Sequence, residues 1–207
     1  PMSSIILTAD TLLGTPTVGQ VEYDGKAFYA TAQGTQRGVL PGAQTYRLNS
    51  AYVGSNVNTA QSVFGVSVTL STATVYAFEG IYMFTKTAGA TSHAIGTGFG
   101  GSATINNIGY NAFAFLSGTN PINTSNLQNL IATSATATAI TTSASSATMY
   151  AAIIIKGTVS INGGGTFTPQ YILSAAPGGA YSTVAGSYFT IYPIGTSGAN
   201  TSVGAWA

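Results

Sequence analysis

The stretch Thr74 to Thr85, TVYAFEGIYMFT, constrains the fold more than any other part of the chain. A strand points successive side chains to opposite faces. Here both faces are apolar: Val75, Ala77, Ile81 and Met83 fall on one, and Tyr76, Phe78, Tyr82 and Phe84 on the other. Such a strand needs two covering surfaces, supplied by a second layer or by another subunit. Asn111 to Leu116 (NAFAFL) has the same character. Glu79 is the one charge inside the run and is costly unless paired, with Lys86, Arg47 and Lys156 as candidate partners.

Strand periodicity recurs along the chain. Phe64, Val66, Val68 and Leu70 alternate with Gly65, Ser67, Thr69 and Ser71. Ile153, Ile155, Val159 and Ile161 form one face of another strand, and Asn162-Gly163-Gly164-Gly165 reads as the turn after it. Thr166 to Ser174 follows, with Pro169 demoting its middle to an edge or bulge. Ser187 to Ile194 comes after the turn at Ala176-Pro177-Gly178-Gly179. The pattern is that of an antiparallel meander in a β-sandwich or jelly roll. Residues 133–148 read as weak strands around a loop. Thr59 to Phe64 and Ser125 to Ile131 are the two places where a helical turn is expected. The expected fold is therefore all-β, an antiparallel sandwich.

Charge narrows the function. Five Lys/Arg and four Asp/Glu in 207 residues amount to 4%, against about 25% in ordinary soluble domains. A net charge of +1 cannot neutralise a run of phosphates, so no nucleic-acid partner is expected. The longest apolar run, Met149 to Ile155, is far too short for a spanning helix, and no membrane insertion is expected. The beginning, Pro1-Met2-Ser3-Ser4-Ile5, lacks the basic and long apolar regions of a secretory signal. Without cysteine there is neither disulfide nor thiolate chemistry. Six of the nine charges (Asp10, Glu22, Asp24, Lys26, Arg37, Arg47) lie in the first 50 residues. Val21 to Tyr29 reads there as a hairpin with a type I′ Asp24-Gly25 turn. A boundary near residues 41–46 divides a small N-terminal segment, 1–45, from the main sandwich, 46–207.

Candidate chemical groups are few. Gly96-Thr97-Gly98-Phe99-Gly100-Gly101 fits G-x-G-x-x-G, but a strand follows it and no acid occurs after Glu79, so it reads as a glycine-rich strand in close backbone packing. His93 is the lone imidazole, and Ser92 beside it points to the opposite face of a strand. It reads as a structural group, or as one of three copies meeting at a symmetry axis to hold a metal or sense pH. Glu22 and Asp24 share a strand face and could pair for glycoside hydrolysis, although acids beside a turn are ordinary. Asn123-Thr124-Ser125 and Asn200-Thr201-Ser202 match the glycosylation pattern by chance in so Ser/Thr-rich a chain. Tyr23, Tyr29, Tyr46, Tyr110, Tyr181, Tyr188 and Trp206 are candidates for stacking on sugars if exposed, and otherwise for core or interface. No catalytic residue, metal or cofactor is assigned, and the chain is not expected to be an enzyme.

An ordered set of motifs completes the reading: GQVEYDGKAFYAT (19–31), QRGVLPGAQTYRLNSAYV (36–53), TVYAFEGIYMFTKT (74–87), IGTGFGGSATI (95–105), IIIKGTVSINGGGTFTPQYILSAAPGG (153–179), GSYFTIYPIG (186–195) and GAWA (204–207). Together they resemble the C-terminal segments of virion structural proteins of tailed bacteriophages, particularly from marine and cyanobacterial hosts. The resemblance covers most of residues 19–207 and weakens over 120–148. It implies a homotrimeric jelly roll, similar to tumour-necrosis-factor-like and complement-head domains, displayed on the particle surface among other virion proteins. On that reading Glu22, Tyr23, Asp24 and Arg37 belong to the attachment segment. Tyr76, Phe78, Tyr82, Phe84, Tyr188 and Trp206 are assigned to the trimer interface. The expected role is surface decoration or a head fibre, giving stability or host adhesion; the alternative is a tail-fibre tip that recognises cell-surface glycans.

Overall fold

The computed structural model describes residues 5–118, 127–198 and 200–206. Its strands in chain order begin with β1 (Val21–Tyr23), β2 (Phe28–Gln33), β3 (Gln36–Leu40), β4 (Gln44–Arg47), β5 (Tyr52–Val53) and β6 (Gln61–Ser62). Next come β7 (Val68–Leu70), β8 (Thr74–Lys86), β9 (Ile95–Gly100), β10 (Thr104–Ser117) and β11 (Gln128–Ala132). The last are β12 (Thr138–Ala139), β13 (Met149–Gly163), β14 (Gly165–Leu173), β15 (Ser182–Thr183) and β16 (Tyr188–Thr196). The described residues contain no helix, and both expected helical turns overlap strands: β6 in the first, β11 in the second, whose Ser125 and Asn126 lie outside the described residues.

All pairings are antiparallel. A large sheet runs β11-β10-β13-β8, and the far edge of β8 is shared by β16, which leads to β4, and β15, which leads to β5. A smaller sheet runs β12-β9-β14, with β7 and β6 dividing the far edge of β14. The two sheets form a sandwich. Aromatic rings fill the space between them: Phe99 stacks on Phe167 at 4.5 Å, meets Phe78 edge-on at 5.0 Å, and Phe84 lies 4.9 Å from Tyr171. Burying such rings, with their large areas and preferred tilted geometries, is the main source of cohesion in a chain with this little charge.

Chain order does not follow the expected meander. β13 pairs with β8 and β10 in the large sheet, whereas β14 lies in the small one between β9 and β7. Gly163 to Gly165 therefore form a corner between layers. A Cβ at Gly165 would sit 2.7 Å from the Ala103 nitrogen, so the corner requires glycine. The expected strand 64–71 shortens to β7, because Gly65 turns at φ 72° and Ser62 Oγ accepts from the nitrogens of Phe64 and Gly65. Pro169 lies opposite Phe99 in β14, and its carbonyl accepts from Val63 N. Its missing N–H therefore faces the gap between β7 and β6, where no ladder bond is lost.

The N-terminal strands β1-β2-β3 make a separate three-stranded sheet at the Thr74 end of β8, where Lys26 Nζ donates to Thr72 O at 2.9 Å. β4, whose Gln44 and Thr45 pair with Ile191 and Thr190, is part of the large sheet rather than of this one. The 21–29 hairpin forms, but over a four-residue turn rather than a two-residue type I′ turn. Asp24 Oδ1 accepts from the nitrogens of Lys26 and Ala27, each at 2.8 Å, and closes it.

Candidate interaction surfaces

The two faces of β8 have different fates. Tyr76, Phe78, Tyr82 and Phe84 are buried in the core of a single chain. Their assignment to a subunit interface is therefore corrected: the small sheet covers the aromatic face, with Phe78 against Phe99 and Phe167 and with Phe84 against Tyr171. The other face points out of the large sheet. Registered partners lie side by side, so Phe113 of β10, Ile154 of β13, Ile81 of β8, Tyr188 of β16 and Arg47 of β4 form one lateral row. Phe115, Ala152 and Met83 form a parallel row. Ile154 and Phe113 are 44% and 38% exposed within the chain. A contiguous apolar surface of this kind marks a place where something binds.

Across the middle of this face runs a polar row of Asn111, Lys156, Glu79, Thr190 and Thr45. Lys156 Nζ lies 3.8 Å from Glu79 Oε2. Of the three expected partners of Glu79, this is the one the structure supplies. Both side chains are largely exposed, so the pair adds at most about 1 kcal/mol to the isolated chain; its larger consequence is that these two charges cancel, leaving Arg47 at the edge as the net charge of these rows. Tyr188 lies in the row of Phe113, Ile154 and Ile81 on this outward face. Trp206 does not: it is 81% exposed on a C-terminal tail whose residues 202–205 line a hollow with Leu12, Thr35 and Arg37 of the N-terminal segment.

In the N-terminal sheet, Arg37 donates to Glu22 through Nε at 2.7 Å and through a second guanidinium nitrogen at 3.1 Å. Leu13 is clasped between them, its nitrogen donating to Glu22 and its carbonyl accepting from Arg37. The Arg37 hydrogen bonds hold the Glu22 carboxyl below the usual carboxylate range. Asp24 closes the hairpin turn and accepts from the Tyr29 hydroxyl at 2.9 Å, which together with burial raises that phenol. Glu22 and Asp24 thus each have an internal partner. The opposite face of this sheet is apolar: Tyr23 stacks on Phe28 at 4.5 Å, and Val21, Phe28 and Leu40 are exposed. Of the residues assigned to attachment, Tyr23 is the one on that open face.

The remaining candidates are accounted for locally. The glycine motif is β9, where a Cβ at Gly96 would lie 1.8 Å from Thr138 O and one at Gly98 2.3 Å from Ala137 Cα. His93 is fully buried within one chain, which removes the reading of three imidazoles meeting at an axis. Among the aromatic candidates Tyr29, Tyr110 and Tyr181 are buried, while Tyr46 is open. Tyr46 borders an open groove of about 330 Å³ whose wall includes Phe64, Val68, Pro169 and Phe189 and whose rim includes Gln44, Ser67 and Thr69. The 123–125 glycosylation match lies outside the described residues.

Phe113, Ile154 and Ile81 are the surface residues that sequence reasoning did not single out. For Ile81 the signal was present in the second apolar face of Thr74 to Thr85, and for Phe113 in the NAFAFL run, but aromatic content drew the interface assignment to the face that is buried in the chain. No family model and no curated protein matches the chain. Among solved structures, that of the infectious bursal disease virus Gx strain is 13% identical, with 86% of this chain and 45% of that chain covered, at a TM-score of 0.19. That of the Gt strain is 10% identical, with 95% and 55% covered, at a TM-score of 0.21. The chain spans about half the length of each, and at these TM-scores the likeness carries no weight for fold or function.

Proposed function

We propose that the chain is a structural protein of a bacteriophage virion, a trimeric surface component with a tumour-necrosis-factor-like jelly roll and no catalytic role. The observation that carries this reading is the outward apolar face of the large sheet. With strands about 4.8 Å apart and about 3.3 Å per residue, β8, β13 and β10 along the 13 residues of β8, with the nine residues of β16 and the four of β4, cover about 800 Å². A standard interface takes about 800 Å² from each partner. One row is apolar, a second is apolar up to Arg47 at its edge, and the Lys156–Glu79 pair cancels in the third, so a second copy meets little like charge there. The ordered phage-like motifs of residues 19–207 support the virion assignment. The N-terminal sheet, with Val21, Phe28 and Leu40 open and Tyr23 stacked on Phe28, is the part that attaches to other virion proteins.

Mass spectrometry of purified particles tests this. The chain is expected as a stoichiometric component, present in hundreds of copies for a capsid decoration, and its absence from particles overturns the reading. A second reading, glycan recognition by a tail-fibre tip, is favoured by the groove under Tyr46, where an open ring faces a rim of hydroxyls and an amide. It requires a few dozen copies or fewer. It also requires binding on a glycan array that Tyr46→Ala abolishes.

A further inference from the structure

The Lys86 end of β8 holds two buried basic side chains and no acid. The Lys86 ammonium donates to the carbonyl oxygens of Ala88 at 3.1 Å, Ser146 at 2.7 Å, Ala147 at 3.3 Å and Gly89. It thereby joins the loop after β8, residues 87–94, to the loop after β12, residues 140–148. His93 lies in the same joint. Its nitrogen and carbonyl exchange hydrogen bonds with Ala144 at 3.1 and 2.9 Å. Thr141 adds two more to Ile95, one through its backbone nitrogen and one through its hydroxyl.

The imidazole's surroundings fix its tautomer. Nδ1 is 2.7 Å from the Thr91 carbonyl oxygen, which can only accept, so Nδ1 carries the hydrogen. Nε2, 2.7 Å from the Tyr181 hydroxyl, is then the acceptor. A proton on Nε2 would set two donors against each other and leave the Tyr181 hydrogen to find another acceptor in a buried site. It would also put a second positive charge beside Lys86. The other titratable groups facing this site are phenols: Tyr181, with Tyr171 and Tyr52 behind it. Residues 140–148 are Ile, Thr, Ser and Ala alone. The chain's carboxylates are elsewhere: Asp10, Glu22 and Asp24 precede the sandwich, and Glu79 is on the outer face.

We propose that His93 is the trigger of an acid-sensitive latch: uptake of one proton at Nε2 opens the joint between loops 87–94 and 140–148. The latch is built within one chain and stands independently of the virion assignment. Burial pushes the imidazole below its ordinary value of 6.5, Lys86 pushes the same way, and the Thr91 carbonyl opposes them. The closed joint therefore binds fewer protons than the open one. Its stability is complete above 6.5 and falls as the pH drops below that value, toward the lower value of the closed state.

Nitrogen NMR of the imidazole and amide exchange of the native chain test this between pH 7.5 and pH 5. The expected result is a neutral Nδ1–H imidazole at pH 7.5 that titrates below 6.5. After correction for intrinsic exchange, the opening constant at the His93 and Ala144 amides rises by up to about tenfold per pH unit below 6.5. Amides of Ile153 and Val159 in β13 should not follow. In His93→Gln, which keeps a donor and an acceptor but does not titrate, the pH dependence should vanish. An imidazole titrating at or above 6.5, an opening constant unchanged down to pH 5, or the same pH dependence in His93→Gln overturns the latch. If His93→Gln does not fold, the native titration decides by itself.

Discussion

Tyr82 is fully buried, and its hydroxyl has no hydrogen-bond partner in the protein. Burial raises that phenol well above its ordinary value, and the nearby Tyr110, whose hydroxyl is equally unpartnered, adds to the shift. A buried polar group left in this state costs about 1–3 kcal/mol. Tyr82→Phe keeps the ring against Phe64 and removes the hydroxyl. Chemical denaturation should find the variant more stable by about 1 kcal/mol; a loss of similar size would mean that the hydroxyl is satisfied after all. Tyr82 also marks a limit of sequence reading. The alternation placed it with Tyr76, Phe78 and Phe84 on one face, which is correct, but a tyrosine carries both a core ring and an interface hydroxyl. Its type alone cannot say which face meets another subunit. His93 was legible only as a structural group, since the Tyr181 that fixes its tautomer is 88 residues away.

At the scale of elements, the strands with unbroken alternation were the readable ones. β8, β14 and β16 lie close to where their periodicity puts them, and Pro169 within β14 has its reason in the gap between β7 and β6. Legibility failed where one residue type serves two geometries. Gly163 to Gly165 serve equally for a hairpin turn and for a corner between sheets, and only the partners of β14 distinguish them. β9 shows glycine in its other role, admitting a neighbouring backbone where a side chain would collide. Gly98→Val should therefore cost about 3 kcal/mol or more, because Ala137 Cα sits where the new Cβ would be and backbone cannot move aside. Gly109→Ala in β10, whose Cβ meets nothing within 4 Å, is the matched control and should change the melting temperature little. Equal losses in the two variants would mean that close approach is not what selects glycine in β9.

The whole molecule joins a charge-poor sandwich to a small N-terminal sheet that holds three of the four carboxylates or their immediate flank. The sequence already divided them, since six of nine charges precede residue 51, although the C-terminal tail returning to that sheet was not foreseen. The need for a second covering surface on residues 74–85 was also legible. Which face is left open depends on the small sheet, whose strands come from distant parts of the chain. The central claim is that this outer face, through Phe113, Ile154 and Ile81, joins copies of the chain. Ile154 is half out of the structure already, so Ile154→Asp should disturb association without unfolding the sandwich. Light scattering of the eluting protein, compared between the native chain and Ile154→Asp at matched concentration, measures this directly. The native chain should have three times its 20.9 kDa mass, and the variant should have the single-chain mass while still melting cooperatively, at a lower temperature because it has lost the stabilisation of association. A native chain at the single-chain mass, or a variant that remains trimeric, would contradict the account.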